Sequence, residues 1–144
     1  MIIFPNLSRG VESCGNTTLT IVDRQPLVLA VDDDEDNLIL LSQILTLLNY
    51  KVLTASDGQS TLAISHTHCP DLILLDIRLP DIDGLELICR IKQDPKLSPI
   101  PIIAVTAMAK PEDRDRLLLA GCADYIRKPF SLEHLELTIH RYLS

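Results

Sequence analysis

Five side chains in this sequence could act on one small anion: the carboxylates of Asp32, Asp33 and Asp76, the hydroxyl of Thr106 and the ammonium of Lys128. Each stands at the end of a short apolar run, at 27–31, 71–75, 100–105 and 123–127 respectively. Three ionised carboxylates within a few ångströms would repel one another, and without a cation among them at least one would protonate. A hard divalent ion such as Mg²⁺ resolves the conflict, because it takes one or two carboxylates and completes its octahedron with waters and phosphate oxygens. Phosphate chemistry is the natural use of such a set. A carboxylate can itself be the nucleophile, forming an aspartyl phosphate, if charge on the transferring group is stabilised from several sides. Lys128 and a hydrogen bond from Thr106 fit that need, and the small Ala107 leaves room for the incoming group.

These groups meet only if the apolar runs are strands of one sheet. The runs at 27–31, 51–55, 71–75, 100–105 and 123–127 read as five strands. The first, third and fourth are almost continuously apolar, as central parallel strands covered on both faces must be. Helical spacing fills the gaps. Leu38, Leu41, Ile44, Leu45 and Leu48 form one apolar stripe closed by Asn49, and Asp57 caps a helix running through Ser65. Gly84 opens a helix through Lys92, Pro111 suits the first turn of one ending at Gly121, and Ser131 caps the last. Short right-handed crossovers then give an α/β, flavodoxin-like doubly wound sheet of five parallel strands, order 2-1-3-4-5, with five helices. Such sheets bind ligands at the carboxyl ends of their strands, where the five groups stand.

Composition agrees with one aliphatic core. The chain has 144 residues, 47% of them hydrophobic, only 3% aromatic and no Trp, so Leu, Ile, Val and Ala must fill one domain. A net charge of -7 and the absence of any Lys/Arg run argue against a nucleic-acid partner. Cys14, Cys69, Cys89 and Cys122 are scattered without a C-x-x-C pair and are read as reduced thiols. His66, His68 and Cys69 lack the spacing of a complete metal site. The opening MIIFPN has no charged n-region, and no stretch approaches the ~20 apolar residues of a span, so a cytoplasmic protein without a membrane partner is expected. Residues 1–24 read as a polar extension, either a disordered tail or one in which 18–22 forms a short strand or packing arm, and 25–144 as the folded unit.

Four segments, VDDDEDN, DLILLDIRLPDIDG, IIAVTA and DYIRKPF, resemble in this order the motifs of receiver (REC) domains of two-component response regulators, across 27–143. With no linker or DNA-binding segment after the last helix, which ends with Arg141-Tyr-Leu-Ser144, the expectation is the stand-alone, single-domain type or an excised receiver domain. The resemblance implies a phosphorelay receiver that is not an enzyme beyond its own phosphotransfer and dephosphorylation. It implies Asp76 as phosphoacceptor and Mg²⁺, or Mn²⁺, held by Asp33 directly, by Asp32 chiefly through water, by Asp76 and by the backbone carbonyl of Arg78. It further implies that Thr106, Ala107 and Lys128 surround the phosphoryl group, that Tyr125 is the switch partner of Thr106, and that the peptide before Pro129 is cis. The implied partners are a sensor histidine kinase or phosphotransfer protein, and a downstream protein on the face of the fourth helix, fifth strand and fifth helix. Two other readings compete. Asp32 and Asp34 imitate the D-x-D nucleophile motif of haloacid-dehalogenase phosphohydrolases, but Asp36 stands where that pattern needs Thr or Val. A receiver-like binding module without phosphate chemistry is opposed by the full set of site residues.

Overall fold

The computed structural model describes residues 25–107 and 110–143. Five strands alternate with five helices: β1 (Leu27–Val31), α1 (Glu35–Leu47), β2 (Lys51–Ala55), α2 (Gly58–His68), β3 (Leu72–Asp76), α3 (Gly84–Gln93), β4 (Ile102–Thr106), α4 (Pro111–Ala120), β5 (Asp124–Arg127) and α5 (Leu132–Leu143). All strand pairs are parallel and the sheet order is β2-β1-β3-β4-β5. The expected topology is therefore the observed one. Asp76 and Thr106 are the last residues of their strands rather than the first beyond them, which ties their backbones to the sheet.

The sheet is a two-sided core. Every residue of β1, β3 and β4 is buried, whereas the edge strands β2 and β5 are partly exposed. Alternation along a strand sends successive side chains to opposite faces. Val28, Ala30, Leu72, Leu74, Ile103 and Val105 therefore pack under α1 and α5, against Leu38, Leu41, Leu45, Leu135 and Ile139. Leu29, Val31, Ile73, Leu75, Ile102 and Ala104 pack the other way, against Leu87, Ile88 and Ile91 of α3 and Leu117 of α4.

Helix ends follow the local chemistry of the sequence. The Asp57 carboxylate accepts from the Ser60 N–H at 2.7 Å, and the Ser131 hydroxyl accepts from the His134 N–H at 3.0 Å. After α1, Asn49 takes a left-handed φ of 75°, one residue beyond the cap at Leu48. Gly121 has φ 123°, beyond ordinary L-residue geometry. α2 runs to His68, three residues past the expected Ser65, because the Cys69 N–H still reaches the Ser65 carbonyl at 3.0 Å.

One expectation fails here. Cys69 is disulfide-bonded and is not a reduced thiol, while Cys89 and Cys122 are free. Sequence spacing could not expose this, because a disulfide depends on which Cβ atoms the fold brings together. Cys14 and the candidate strand at 18–22 lie outside the described residues. Of the histidines, His66 pairs with Asp94 at 2.9 Å and His68 contacts the Thr67 hydroxyl at 2.9 Å. Among the described residues, no helix is long and apolar enough to cross a membrane.

Gly84 carries the closest backbone approach. A Cβ there would lie 2.5 Å from the Ile77 carbonyl oxygen and 2.7 Å from its Cα, in the loop directly after Asp76. Gly84→Ala is expected to lower the unfolding free energy by about 1–3 kcal/mol, since backbone cannot yield as a side-chain tip can. Leu119→Ala, at a side chain 87% exposed, should change it by no more than about 0.5 kcal/mol. Urea unfolding of the two variants measures the contrast.

Candidate functional site

The turn after β1 places two carboxylates at different depths. The Asp32 N–H donates to the Ala55 carbonyl at 3.1 Å, continuing the β1–β2 pairing for one residue and holding Asp32 at 2% exposure. Its Oδ1 accepts from the Asp34 N–H at 2.9 Å and its Oδ2 from the Asn37 side-chain amide at 3.3 Å. Asp34 faces away and caps α1, accepting from the N–H groups of Asp36 and Asn37. Asp33, between them, is exposed.

Asp76 ends β3 two strands from the edge, with its Oδ1 accepting from the Arg78 N–H at 2.9 Å. Its register partner on β4 is Val105, so Thr106 stands one residue further along, opposite Arg127 of β5. The Lys128 N–H donates to the Thr106 carbonyl at 2.8 Å. That bond carries the β4–β5 ladder one step past β5, and the peptide from Lys128 to Pro129 is cis.

The charged ends then meet. Lys128 Nζ lies 3.1 Å from Asp76 Oδ2 and 3.3 Å from Asp32 Oδ2. One oxygen from each of Asp32, Asp33 and Asp76 falls within a sphere of mutual distances below 4.8 Å, a donor set fit for a hard cation. Burial pushes the Asp76 carboxyl above the usual carboxylate range, and the nearby Asp32 charge adds to the push; the Arg78 N–H and Lys128 counter it only in part. Burial pulls the Lys128 ammonium down, yet the hydrogen bond and charge of Asp76, with those of Asp32, outweigh it, and its pKa stands above that of ordinary lysine. An isolated ion pair would lower its acid. Here acid and base move upward together because the acid is both desolvated and next to a second acid.

Residues 28–140 match the response regulator receiver domain family. The chain belongs to this family. This receiver is 40% identical over 116 residues to the polar-differentiation response regulator DivK of Brucella anthropi, an alignment spanning 81% of this chain and 94% of that protein. It is similar to the chemotaxis response regulator CheY4 of Vibrio cholerae, with a TM-score of 0.78 and 30% identity over 82% of this chain and 98% of that one. It is also similar to the receiver domain of the sensor histidine kinase PA1611 of Pseudomonas aeruginosa PAO1, a structure with a magnesium ion coordinated in the active-site cleft. That match has a TM-score of 0.77 and 33% identity, over 83% of this chain and 98% of that one. As a receiver domain, the chain is a two-component signalling module.

Of the residues singled out in the sequence, Asp32, Asp33, Asp76 and Lys128 come together at the strand ends. Ala107 shares a cavity wall with Asp76 and Lys128. Thr106, 3% exposed, lines a separate cavity with the half-buried Tyr125. Arg78 contributes a backbone N–H to Asp76, while its side chain is exposed.

Two further residues escaped the sequence reading: Asn37 bonds Asp32, and Arg114 stacks its guanidinium 5.7 Å from the Tyr125 ring centroid. Asp81 reaches from the loop after β3 to accept from the N–H groups of Gly58 and Gln59 at 2.8 and 3.0 Å. Asp81 carries a carboxyl held below its usual range, chiefly by the Gly58 N–H. A sequence signal existed only for Asn37, five residues after Asp32 in the first turns of a helix.

The raised pKa of Asp76 has a definite sign for stability. A carboxyl whose folded pKa lies above its unfolded value favours folding when protonated and loses that contribution as pH rises through the folded pKa. Asp76→Asn, neutral and nearly isosteric, is therefore expected to raise the thermal midpoint of the protein in EDTA at neutral pH by a few degrees. The gain should shrink as pH falls and the wild-type carboxyl protonates. Calorimetric melts across pH check both signs.

Proposed function

We propose that Asp76 accepts a phosphoryl group from a phosphohistidine on a sensor kinase or phosphotransfer protein. The bridging of Asp76 and Asp32 by Lys128 Nζ, at 3.1 and 3.3 Å, carries this reading. It puts a cation beside a buried carboxylate at the mouth of the sheet. A carboxylate oxygen of Asp76 attacks phosphorus, the P–N bond breaks, and the imidazole departs with the electron pair and takes up a proton. Lys128 stabilises charge on the phosphoryl oxygens, Thr106 donates to another oxygen, and Ala107 keeps the approach open. Beyond its own phosphotransfer and dephosphorylation the chain catalyses nothing on this reading.

Asp33, Asp32, Asp76 and the Arg78 backbone carbonyl would hold a Mg²⁺ ion, with Mn²⁺ an alternative of the same ligand preference. When bound, it supplies positive charge against the incoming phosphoryl oxygens. Asp32, already engaged by Asn37 and Lys128, is suited to an indirect role, and the exposed Asp33 to a direct one. Tyr125 answers Thr106 and transmits phosphorylation to a protein target on the α4, β5 and α5 face. The receiver unit occupies 25–144 with 1–24 as an extension, and the cytoplasm is where a kinase of this type would meet it.

Acetyl phosphate or a phosphohistidine donor should label Asp76 with Mg²⁺ present, and Asp76→Asn should abolish the label. Mass spectrometry of the borohydride-reduced aspartyl site reads this out, and undiminished labelling in excess EDTA or retention on another aspartate would sink the assignment.

A second expectation separates two neighbouring acids. Asp33→Ala should weaken Mg²⁺ binding at least about tenfold, the scale of one lost ligand-sphere interaction. Asp34→Ala should leave Mg²⁺ affinity in place and cost about 0.5–2 kcal/mol of stability through the lost cap of α1. Titration calorimetry and urea unfolding of both variants distinguish the roles.

A further inference from the structure

A second cavity, of about 240 Å³, opens beside the strand ends on the α4 side. Thr106, Tyr125 and Leu117 form its inner wall, and Lys110, Arg114 and Arg127 stand around it. All three cations are exposed. Thr106 and Arg127 face each other across the β4–β5 register. The Arg114 guanidinium lies over the Tyr125 ring, 5.7 Å from its centroid, which holds a long side chain at the cavity wall without consuming its charge.

Charge bookkeeping around this cavity is uneven. Asp113 also lines it, but Arg116 answers Asp113 at 3.9 Å. Arg141, the further arginine on α5, is taken by Asp124 at 3.0 Å. Lys110, Arg114 and Arg127 have no ion-pair partner among the described residues. Three cations without an ion-pair partner among the described residues thus stand around one cavity, on a chain whose net charge is -7.

We infer that this cavity docks an acidic segment of a partner protein, with carboxylates on Arg114, Arg127 and Lys110 and an apolar side chain against Tyr125 and Leu117. The inference deepens the reading of the α4, β5 and α5 face as the output surface and rests on it. Guanidinium groups pair with carboxylates in a forked geometry that a planar acid matches better than a neutral amide does. A polyanionic nucleic acid fits less well, because a chain with a net charge of -7 repels a long phosphate backbone. Thr106 links the cavity to the phosphoryl site: it ends β4 beside Asp76 and forms part of the cavity wall, so a displacement of its side chain changes the space available to the docked segment.

The test uses the full chain loaded with beryllofluoride and Mg²⁺, probed against an array of short synthetic peptides rich in Asp and Glu, their Asn and Gln counterparts, and an oligothymidylate. Acidic peptides should bind at least about tenfold more tightly than their amide counterparts, and Arg114→Gln with Arg127→Gln should remove most of that preference. Labelling of Asp76 by acetyl phosphate, measured on the same samples, should be unchanged in the double variant and certifies its fold. Equal binding of acidic and amide peptides by wild-type protein that takes phosphate overturns the inference and leaves the phosphoacceptor reading standing. Preferred binding of the oligothymidylate overturns it in favour of nucleic acid. Failure of Asp76 to take phosphate sinks the phosphoacceptor assignment instead, and peptide selectivity of the untreated chain then decides the cavity by itself.

Discussion

Lys128 has to answer two carboxylates at once, and much of this structure follows from where that ammonium must stand. Asp32 and Asp76 are both buried, at 2% and 8% exposure, and each sits within 3.3 Å of Nζ. Two buried like charges without a cation would push one another toward protonation. The arrangement persists because the ends of β1, β3, β4 and β5 are staggered by no more than two residues, with backbone bonds carrying the ladder one residue beyond β1 and β5. The sheet thus spends part of its stability on keeping an unfavourable cluster in register, a common feature of sites whose chemistry needs concentrated charge.

Acidic residues outside the cluster do a different job. Asp34, Asp57 and Asp83 each cap the helix that follows, and Asp81 reaches across to the start of α2. All of them face backbone N–H groups at positive helix ends, where a carboxylate is favoured rather than penalised. Asp33 and Asp34 are adjacent in the chain yet belong to these two classes, one aimed at the cluster and the other at the helix. The caps also stiffen the two loops that flank Asp76, so local helix chemistry and site geometry share the same residues.

The site lies between two cavities of unlike character. Toward α1 and α5, Leu40, Leu41, Ile44, Phe130 and Leu132 line a largely aliphatic space of about 580 Å³ that reaches Asp76 and Lys128. Toward α4, the smaller space beyond Thr106 is walled by cations. Thr106 and Lys128, linked by a 2.8 Å backbone bond, stand at the boundary.

Fold order, helix caps and the cluster of Asp32, Asp33, Asp76 and Lys128 were legible in the sequence because each rests on a short-range rule. Apolar runs mark buried parallel strands, Asp and Ser before an apolar stripe mark helix starts, and charged residues after such runs fall at strand ends. The resemblance to receivers tied those local signals together and also implied the cis bond before Pro129, which is present. Other features were decided by tertiary structure alone. Asp81 and Gly58 lie 23 positions apart, and no spacing rule connects such partners. Strand bounds shifted so that Asp76 and Thr106 became ladder residues, since pairing and not hydropathy decides where a strand ends. The stacking of Arg114 on Tyr125 likewise arises only when separate elements pack, because a cation over a ring is a matter of proximity in space rather than order along the chain.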